Sequence, residues 1–242
     1  MSFKSQVLRW LAGLMPLLLA GCAHQGHPAD SVLATEVSVR PGINKPYFDE
    51  PKVEQWLSRF EIESREIWTE RRRILECLGS VEGLTVADVG AGTGFLARGL
   101  AQLVGSRGQV FAVDILPTFL EHMRQQAAKE GLKNFTVVEG AEKSPQLPVA
   151  SCDVVFTSDT YHHFEYPRSM NANIFAALKP GGTFVVLDFV RDEATSRKWI
   201  LDHVRAGEAV VRGEVEAAGF EFVRAERFLK ENYILFFRKP AR

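Results

Sequence analysis

Apolar residues in the segment from Pro51 to Leu78 recur at helical spacing, with charged residues between them. Their spacings lie near three, four and seven, and the residues are Val53, Trp56, Leu57, Phe60, Ile67, Ile74, Leu75 and Leu78. Such a stripe is typical of an amphipathic helix that buries one face. The pattern predicts two helical pieces, which we expect to form N-terminal cap helices within residues 47–80.

From residue 85 onward, short β-branched apolar runs alternate with helical patterns. The predicted strands are Thr85–Val89, Val110–Val113, Phe135–Val138, Val154–Thr157 and Thr183–Leu187. The predicted helices are Phe95–Leu103, Phe119–Glu130, Met170–Leu178 and Glu208–Ala218. This alternation is typical of βαβ units, in which helices cover both faces of a parallel sheet.

The C-terminal end departs from the alternation. Glu221–Leu229 and Tyr233–Arg238 both have strand character, and only the turn-forming Lys230–Asn232 separates them. Two strands joined so closely pair antiparallel. The predicted fold class is therefore α/β: a doubly wound, Rossmann-like, mostly parallel seven-stranded sheet with an antiparallel C-terminal hairpin and N-terminal cap helices.

The composition narrows the possible functions. The chain has 242 residues, of which 46% are hydrophobic and 24% charged, as in ordinary globular proteins. Its 29 basic and 30 acidic residues give a net charge of -1, so nothing predicts a nucleic-acid partner. The cysteines at positions 22, 77 and 152 have no paired spacing, and we predict neither a zinc site nor a disulfide framework.

The N-terminal residues have the pattern of a targeting segment. Lys4 and Arg9 precede the apolar run Leu11–Ala20, without any acidic residue. A membrane-spanning helix needs about 20 apolar residues, and this run has about half that number. The pattern therefore predicts a signal peptide rather than a transmembrane helix.

The end of that run, Leu19–Cys22, resembles the lipobox of bacterial lipoproteins. The resemblance implies a signal peptide over residues 1–21, lipidation of Cys22, and a membrane anchor on the periplasmic side of the cell envelope, with Ala23 favouring the outer membrane. Residues 22–46, rich in Pro and Gly, are predicted to form a tether. The alternative is a cytoplasmic protein whose start codon is assigned too early.

A glycine-rich turn lies between the first predicted strand of the sheet and the following helix. Its sequence is Asp88-Val-Gly90-Ala91-Gly92-Thr-Gly94, and Asp114 ends the next strand about 20 residues later. Such a turn brings backbone N–H groups and a helix N-terminus against a ligand. A carboxylate at the end of the second strand can accept hydrogen bonds from a ribose diol. Together these residues predict a nucleoside site.

The acid followed by GxGxG resembles the first motif of class I S-adenosylmethionine-dependent methyltransferases, whereas Phe95 departs from the GxGxxG of dinucleotide-binding proteins. Asp153–Phe156 and Leu178–Gly182 also match that family. The resemblance implies that residues 81–242 form the domain that binds S-adenosylmethionine. It assigns cofactor binding to Asp88, Gly90, Ala91, Gly92, Gly94, Asp114, Ile115, Ala141, Glu142 and Asp159. Gly140 departs from the family, which usually has an aspartate there.

The loop after the fourth strand is expected to face the reacting methyl group. It contains the candidate catalytic residues Tyr161, His162 and His163. In an extended loop adjacent side chains point in different directions, so we expect at most one to face the acceptor, and we favour His162. In-line methyl transfer can also proceed by positioning alone.

We predict no metal site. A magnesium-dependent catechol-type enzyme would need carboxylates after strands four and five, but Asp159 is displaced by one position and Asp188 is followed by Phe189 rather than Asn. The expected function is methyl transfer from S-adenosylmethionine to a small-molecule or lipid-like acceptor. The alternative is an exported nucleoside-binding protein of the same fold without turnover.

Overall fold

The computed structural model describes residues 35–49, 52–62 and 65–241. Within them lies one seven-stranded sheet with the order β3-β2-β1-β4-β5-β7-β6. Its strands are β1 Thr85–Val89, β2 Gln109–Asp114, β3 Phe135–Glu139, β4 Cys152–Ser158, β5 Leu178–Phe189, β6 Glu221–Glu226 and β7 Asn232–Arg238. All neighbouring pairs are parallel except β5 with β7 and β7 with β6. The predicted fold class is confirmed.

The helices of the described residues are short in the cap and longer between strands. They are α1 Lys45–Asp49, α2 Val53–Phe60, α3 Glu66–Thr69, α4 Arg71–Glu76, α5 Phe95–Val104, α6 Pro117–Lys129, α7 Pro167–Ala177, α8 Lys198–His203 and α9 Glu208–Ala217. Both α6 and α7 begin with a proline at the first helical position, where its fixed φ suits the helix and no N–H is needed.

Alternating residues of the strands contribute to two hydrophobic cores, one on each face of the sheet. On one face Leu100 of α5 and Met123 of α6 pack in the same cluster as Val86 of β1. On the other face Ile174 of α7 packs in the same cluster as Ala87 of β1. A strand buried on both faces has no polar alternation, which is why the predicted strands appear as continuous apolar runs.

The sheet topology fixes where a ligand can bind. The order runs outward from β1, with β2 and β3 on one side and β4 and β5 on the other. Ligands of doubly wound sheets bind at the carboxyl edge where the strand order reverses. That edge carries the residues just after β1, β2 and β4.

Several elements differ from the sequence prediction. Strand β5 extends over Leu178–Phe189 because it pairs along β4 and, in antiparallel register, along the whole of β7. Strand β6 ends at Glu226 rather than Leu229. The described residues of the cap form four short helices instead of two pieces, and α8 forms in a segment for which no helix was predicted.

The described part of the predicted tether lies against the domain. The carboxylate of Glu36 accepts hydrogen bonds from the backbone N–H groups of Arg168 and Ser169, each at 2.8 Å. The carboxylate of Glu165 accepts bonds from the Ser38 hydroxyl at 2.6 Å and from a backbone N–H of the same segment. These residues therefore belong to the fold rather than to a free linker.

The signal peptide and Cys22 lie outside the described residues. Within residues 35–49, 52–62 and 65–241, no helix combines the length and apolar character that crossing a bilayer requires.

Candidate active site

The glycine turn forms the centre of the site. Gly90, Gly92 and Gly94 have φ values of 77°, 56° and 76°, in the left-handed region that favours glycine. A Cβ at Gly90 would lie 2.1 Å from a methyl carbon of Thr160, so the two loops can meet only because Gly90 has no side chain. A Cβ at Gly92 would meet nothing closer than the Phe60 ring at 3.5 Å. The turn therefore closes against β4 and stays open above Gly92.

Asp114 ties the second strand to this turn. One oxygen of its buried carboxylate accepts the backbone N–H of Gly92 at 2.8 Å, and the other accepts that of Leu116 at 3.0 Å. Burial raises the pKa of Asp114, and the backbone N–H groups of Leu116, Gly92 and Ile115 oppose that rise. The predicted ribose-binding acid therefore lies beside the glycine turn.

A cavity of about 770 Å³ of empty space opens at these strand ends, and we call it the donor cavity. Most of the predicted cofactor residues line it: Gly90, Gly92, Asp114, Ile115, Ala141, Glu142 and Asp159. Gly94 lines neither this cavity nor the next one, because it packs at the start of α5 against Met123.

A second, larger cavity of about 1350 Å³ lies beside the first and is called the acceptor cavity. The predicted residues Asp88 and Ala91 line it. Its walls are rich in aromatic, arginine and histidine side chains: Tyr47, Arg59, Phe60, Arg65, His162, His163, Phe189, Arg197, Trp199 and His203. The two cavities share Gly90, Gly92, Thr160 and His163, so they adjoin at the glycine turn.

Asp88 is the least satisfied acid of the site. Its side chain is 2% exposed, and its Oδ1 atom has no hydrogen-bond partner among the described residues. Burial, with a smaller contribution from the charge of Asp114, raises the pKa of Asp88 to about 7. A buried acid with an unpartnered oxygen is suited to receive a positively charged ligand group.

Asp159 is engaged by the protein itself. Its carboxylate pairs with the Arg65 guanidinium and accepts a 2.7 Å bond from the side-chain amide of Asn232. Burial raises its pKa to about 7, although Arg65 opposes that effect. Asp159 therefore fastens the cap to the edge of the sheet, while still lining both cavities.

The two predicted histidines lie in a single turn of 3₁₀-helix, Tyr161–His163. Nδ1 of His162 lies 2.7 Å from Oδ1 of Asp188, and Nδ1 of His163 lies 3.1 Å from Oδ1 of Asn44. Burial lowers the pKa of both imidazoles well below the usual range, so both are neutral near pH 7. Contrary to the expectation that at most one would face the acceptor, both line its cavity.

His203 is the functional candidate that the sequence analysis missed. This half-buried residue ends α8, and its Nε2 lies 3.3 Å from Nε2 of His163. One ring nitrogen from each of His162, His163 and His203 lies within 4.8 Å of the other two. The prediction of no metal site considered cysteines and carboxylates, and it did not consider this histidine cluster.

Tyr161 faces away from both cavities, and its prediction as a catalytic residue is corrected. The residue is fully buried, its hydroxyl donates to Glu214 at 3.0 Å, and Asn171 donates to that hydroxyl at 2.7 Å. A 3₁₀ turn rotates successive side chains by about a third of a circle. With His162 and His163 toward the cavity, Tyr161 points into the core under α7 and α9.

Comparison with known proteins decides the family. A family profile described as a methyltransferase domain matches residues 80–234. The chain belongs to this family. It is a class I methyltransferase, and its cofactor is S-adenosylmethionine.

Two curated relatives and one solved structure illustrate the similarity. The aklanonic acid methyltransferase DauC of Streptomyces sp. (strain C5) is 34% identical over 36% of this chain and 40% of its own length. The ubiquinone/menaquinone biosynthesis C-methyltransferase UbiE of Stutzerimonas stutzeri is 26% identical over 63% of this chain and 71% of its own. A SAM-dependent methyltransferase from Aquifex aeolicus superposes with a TM-score of 0.69 at 24% identity, covering 77% of this chain and 98% of that one.

The residues of this methyltransferase fit its cofactor. The open backbone above Gly92 leaves room that a side chain would fill, and Asp114 lies beside it. The unpartnered Oδ1 of Asp88 offers a negative partner for the ammonium group of S-adenosylmethionine. Each feature lies in one of the two adjoining cavities.

Proposed function

We propose that this methyltransferase transfers the methyl group of S-adenosylmethionine to a small, flat acceptor with a ring system. The observation that carries the proposal is the meeting of two cavities at the glycine turn. One cavity has the nucleoside-binding features, and the other has aromatic walls that include Phe60, Phe189 and Trp199. Aromatic side chains favour stacked or edge-on contacts with flat ligands.

When bound, the donor would supply a methyl group from its sulfonium: the acceptor's nucleophilic atom bonds to the methyl carbon in line as the C–S bond breaks, S-adenosylhomocysteine leaves, and a proton on the nucleophile passes to solvent. The chain's contribution is mainly to hold the two molecules in that line, which can supply about 7–11 kcal/mol of the barrier. Asp114 orients the nucleoside end, and Asp88 holds the positive amino end. Thr160 and His163, which line both cavities, face the junction where the reacting atoms meet.

The acceptor side of the junction is built by the cap and by α8. Tyr47 stacks on Trp56 with ring centroids 4.4 Å apart, and Trp199 meets Phe189 edge-on at 4.9 Å. A wall of this kind suits a small molecule with a ring system, because aromatic side chains make stacked or edge-on contacts with flat groups.

The test begins with calorimetric titration of the full chain with S-adenosylmethionine, S-adenosylhomocysteine and NAD. Binding of the first two and not the third, weakened in Asp114→Ala, supports the cofactor site. Radiolabelled methyl transfer to a panel of phenols, quinols and hydroxylated polyketides then tests turnover. Donor binding without transfer to any acceptor would favour the alternative, a nucleoside-binding protein without turnover.

We also propose that the enzyme is anchored in the bacterial cell envelope through a lipid on Cys22. The support is the sequence alone: a basic start, a short apolar run and a lipobox-like Leu19–Cys22. A single acyl chain gives only marginal membrane binding, so a stable anchor requires further acylation at the same cysteine. Metabolic labelling with palmitate tests this proposal.

A further inference from the structure

We propose that His162, His163 and His203 form a binding site for a divalent transition-metal ion of the zinc class at the floor of the acceptor cavity. The three side chains come from the 3₁₀ turn after β4 and from the end of α8, some 40 residues apart. One ring nitrogen from each lies within 4.8 Å of the other two. Three imidazoles facing one cavity are a common set of ligands for such ions.

Hydrogen bonds at the outer nitrogens fix the tautomers of two of these imidazoles. An ionised Asp188 carboxylate accepts only, and in that state Nδ1 of His162 donates to it at 2.7 Å. The amide nitrogen of Asn44 donates to the backbone carbonyl of His163 at 3.1 Å. The amide oxygen of Asn44 is therefore free to accept a hydrogen bond from Nδ1 of His163. With Asp188 ionised, both imidazoles therefore carry their proton on Nδ1 and present an unprotonated Nε2.

This arrangement matches the outer shell of known metal sites. Metal-bound histidines donate their other ring N–H to a carboxylate or a carbonyl oxygen, which orients the ring and raises its basicity. Here Asp188 is the hydrogen-bond partner of Nδ1 of His162, and Asn44 is the partner of Nδ1 of His163. Asp188 is itself fixed, because its carboxylate accepts the backbone N–H groups of His162 and Phe189.

The distances require only small side-chain rotations. In a tetrahedral zinc site with bonds of about 2.0–2.1 Å, neighbouring ligand nitrogens are about 3.4 Å apart. The Nε2 atoms of His163 and His203 are already 3.3 Å apart. His203 is half-buried at the end of a short helix, so its ring can turn toward the other two.

The proposed site leaves a fourth coordination position on the cavity side. The Tyr47 hydroxyl lies 3.2 Å from Nε2 of His163, which places a neutral oxygen at the edge of this position. If the proposed function holds, on which this consequence rests, a cation here would polarise an acceptor oxygen near the donor's methyl group.

The first measurement is zinc binding to the full chain after treatment with a chelator, by competition with a chromophoric chelator. We expect one zinc ion per chain, bound about 100-fold or more weaker in His203→Ala and about 10-fold weaker in Asn44→Ala. The matched controls are His122→Ala and the double variant His24→Gln/His27→Gln, which alter histidines outside the cluster and should keep the affinity. Circular dichroism and thermal melting verify that each variant folds.

Cobalt substitution supplies the second readout. Four-coordinate cobalt should give strong visible absorption that is lost in His203→Ala, and X-ray absorption should show nitrogen or oxygen ligands without sulfur. The proposal is overturned if the folded full chain binds no stoichiometric zinc, or if binding depends on His24 and His27 instead. Donor titration on the same samples separates the two proposals, because donor binding without zinc refutes only the metal site, and zinc without donor refutes only the proposed function.

Discussion

Replacing Asp88 by asparagine should stabilise the folded protein while weakening its affinity for the donor. Burial raises the pKa of Asp88 from 3.8 to about 7. Between these two pH values the unfolded chain carries the carboxylate while the folded protein keeps the proton. Folding then takes up a proton, so stability falls as the pH rises through this window.

The magnitude follows from the size of the shift. Each unit of pKa difference corresponds to 1.36 kcal/mol, so the buried charge of Asp88 costs about 4 kcal/mol above pH 7. Asp88→Asn removes this cost. Relative to its value at pH 4, the stability difference between variant and wild type should grow by about 1.4 kcal/mol per pH unit and become constant above pH 7.

Urea unfolding of both proteins at unit intervals from pH 4 to pH 9, without donor, measures this difference. Asp192→Asn is the matched control with the opposite sign. Hydrogen bonds from Ala194 and Thr195 lower the pKa of the exposed Asp192, so its charge stabilises the fold at neutral pH and that contribution disappears as the pH falls through the acidic range. A flat difference for Asp88→Asn would refute the reasoning.

The donor provides the second half of this test. If the Asp88 carboxylate receives the donor's ammonium, its loss removes a charge-assisted hydrogen bond of about 1.5–3 kcal/mol, which corresponds to roughly 10- to 150-fold in affinity. Saturating donor should then stabilise wild type more than the variant. Equal calorimetric affinities for the two proteins would place the positive group elsewhere.

Further predictions concern packing, the corrected residue and the anchor. Gly90→Ala should cost about 2–4 kcal/mol of stability in urea, because its methyl meets Thr160 at positive φ, whereas Gly92→Ala should cost about 1–2 kcal/mol from φ alone. Equal losses of stability in Gly90→Ala and Gly92→Ala would contradict the close contact between Gly90 and Thr160. Tyr161→Phe should lower the free energy of unfolding by about 1–3 kcal/mol and leave kcat unchanged, because the Tyr161 hydroxyl makes hydrogen bonds within the core. A loss of turnover without a loss of stability would show that Tyr161 is a catalytic residue after all. Cys22→Ser should abolish palmitate labelling, and persistent labelling would exclude this anchor.

The relative positions of the glycine turn and the second-strand acid could be predicted because both features are local in sequence. The glycine turn and the acid after β2 each follow a strand directly, and parallel strands bring their carboxyl ends to one edge. Asp88, Gly90, Gly92 and Asp114 therefore lie where the pattern places them. The same argument predicts Asp159 at that edge. It does not predict the ion pair between Asp159 and Arg65, because Arg65 comes from the cap.

The acceptor side depended on tertiary contacts that no short pattern encodes. His203 reaches His163 because α8 folds back over the end of β5, across 40 residues of intervening chain. Tyr161 was misjudged because the loop was taken as extended, whereas a 3₁₀ turn carries both histidines to one side. Asn44 lay within the predicted tether, and its hydrogen bonds to His163 depend on the docking of that segment.

The docked N-terminal segment has a consequence for how this enzyme can diversify. Residues 36–65 supply Asn44, Tyr47, Phe60 and Arg65 to the cavities, yet all of them precede the start of the matched family domain at residue 80. This segment and the glycine turn with its second-strand acid are thus separate stretches of chain, and the segment lines both cavities through Tyr47 and Phe60. Recombination upstream of β1 would therefore change the walls of both cavities at once while the glycine turn itself stays the same.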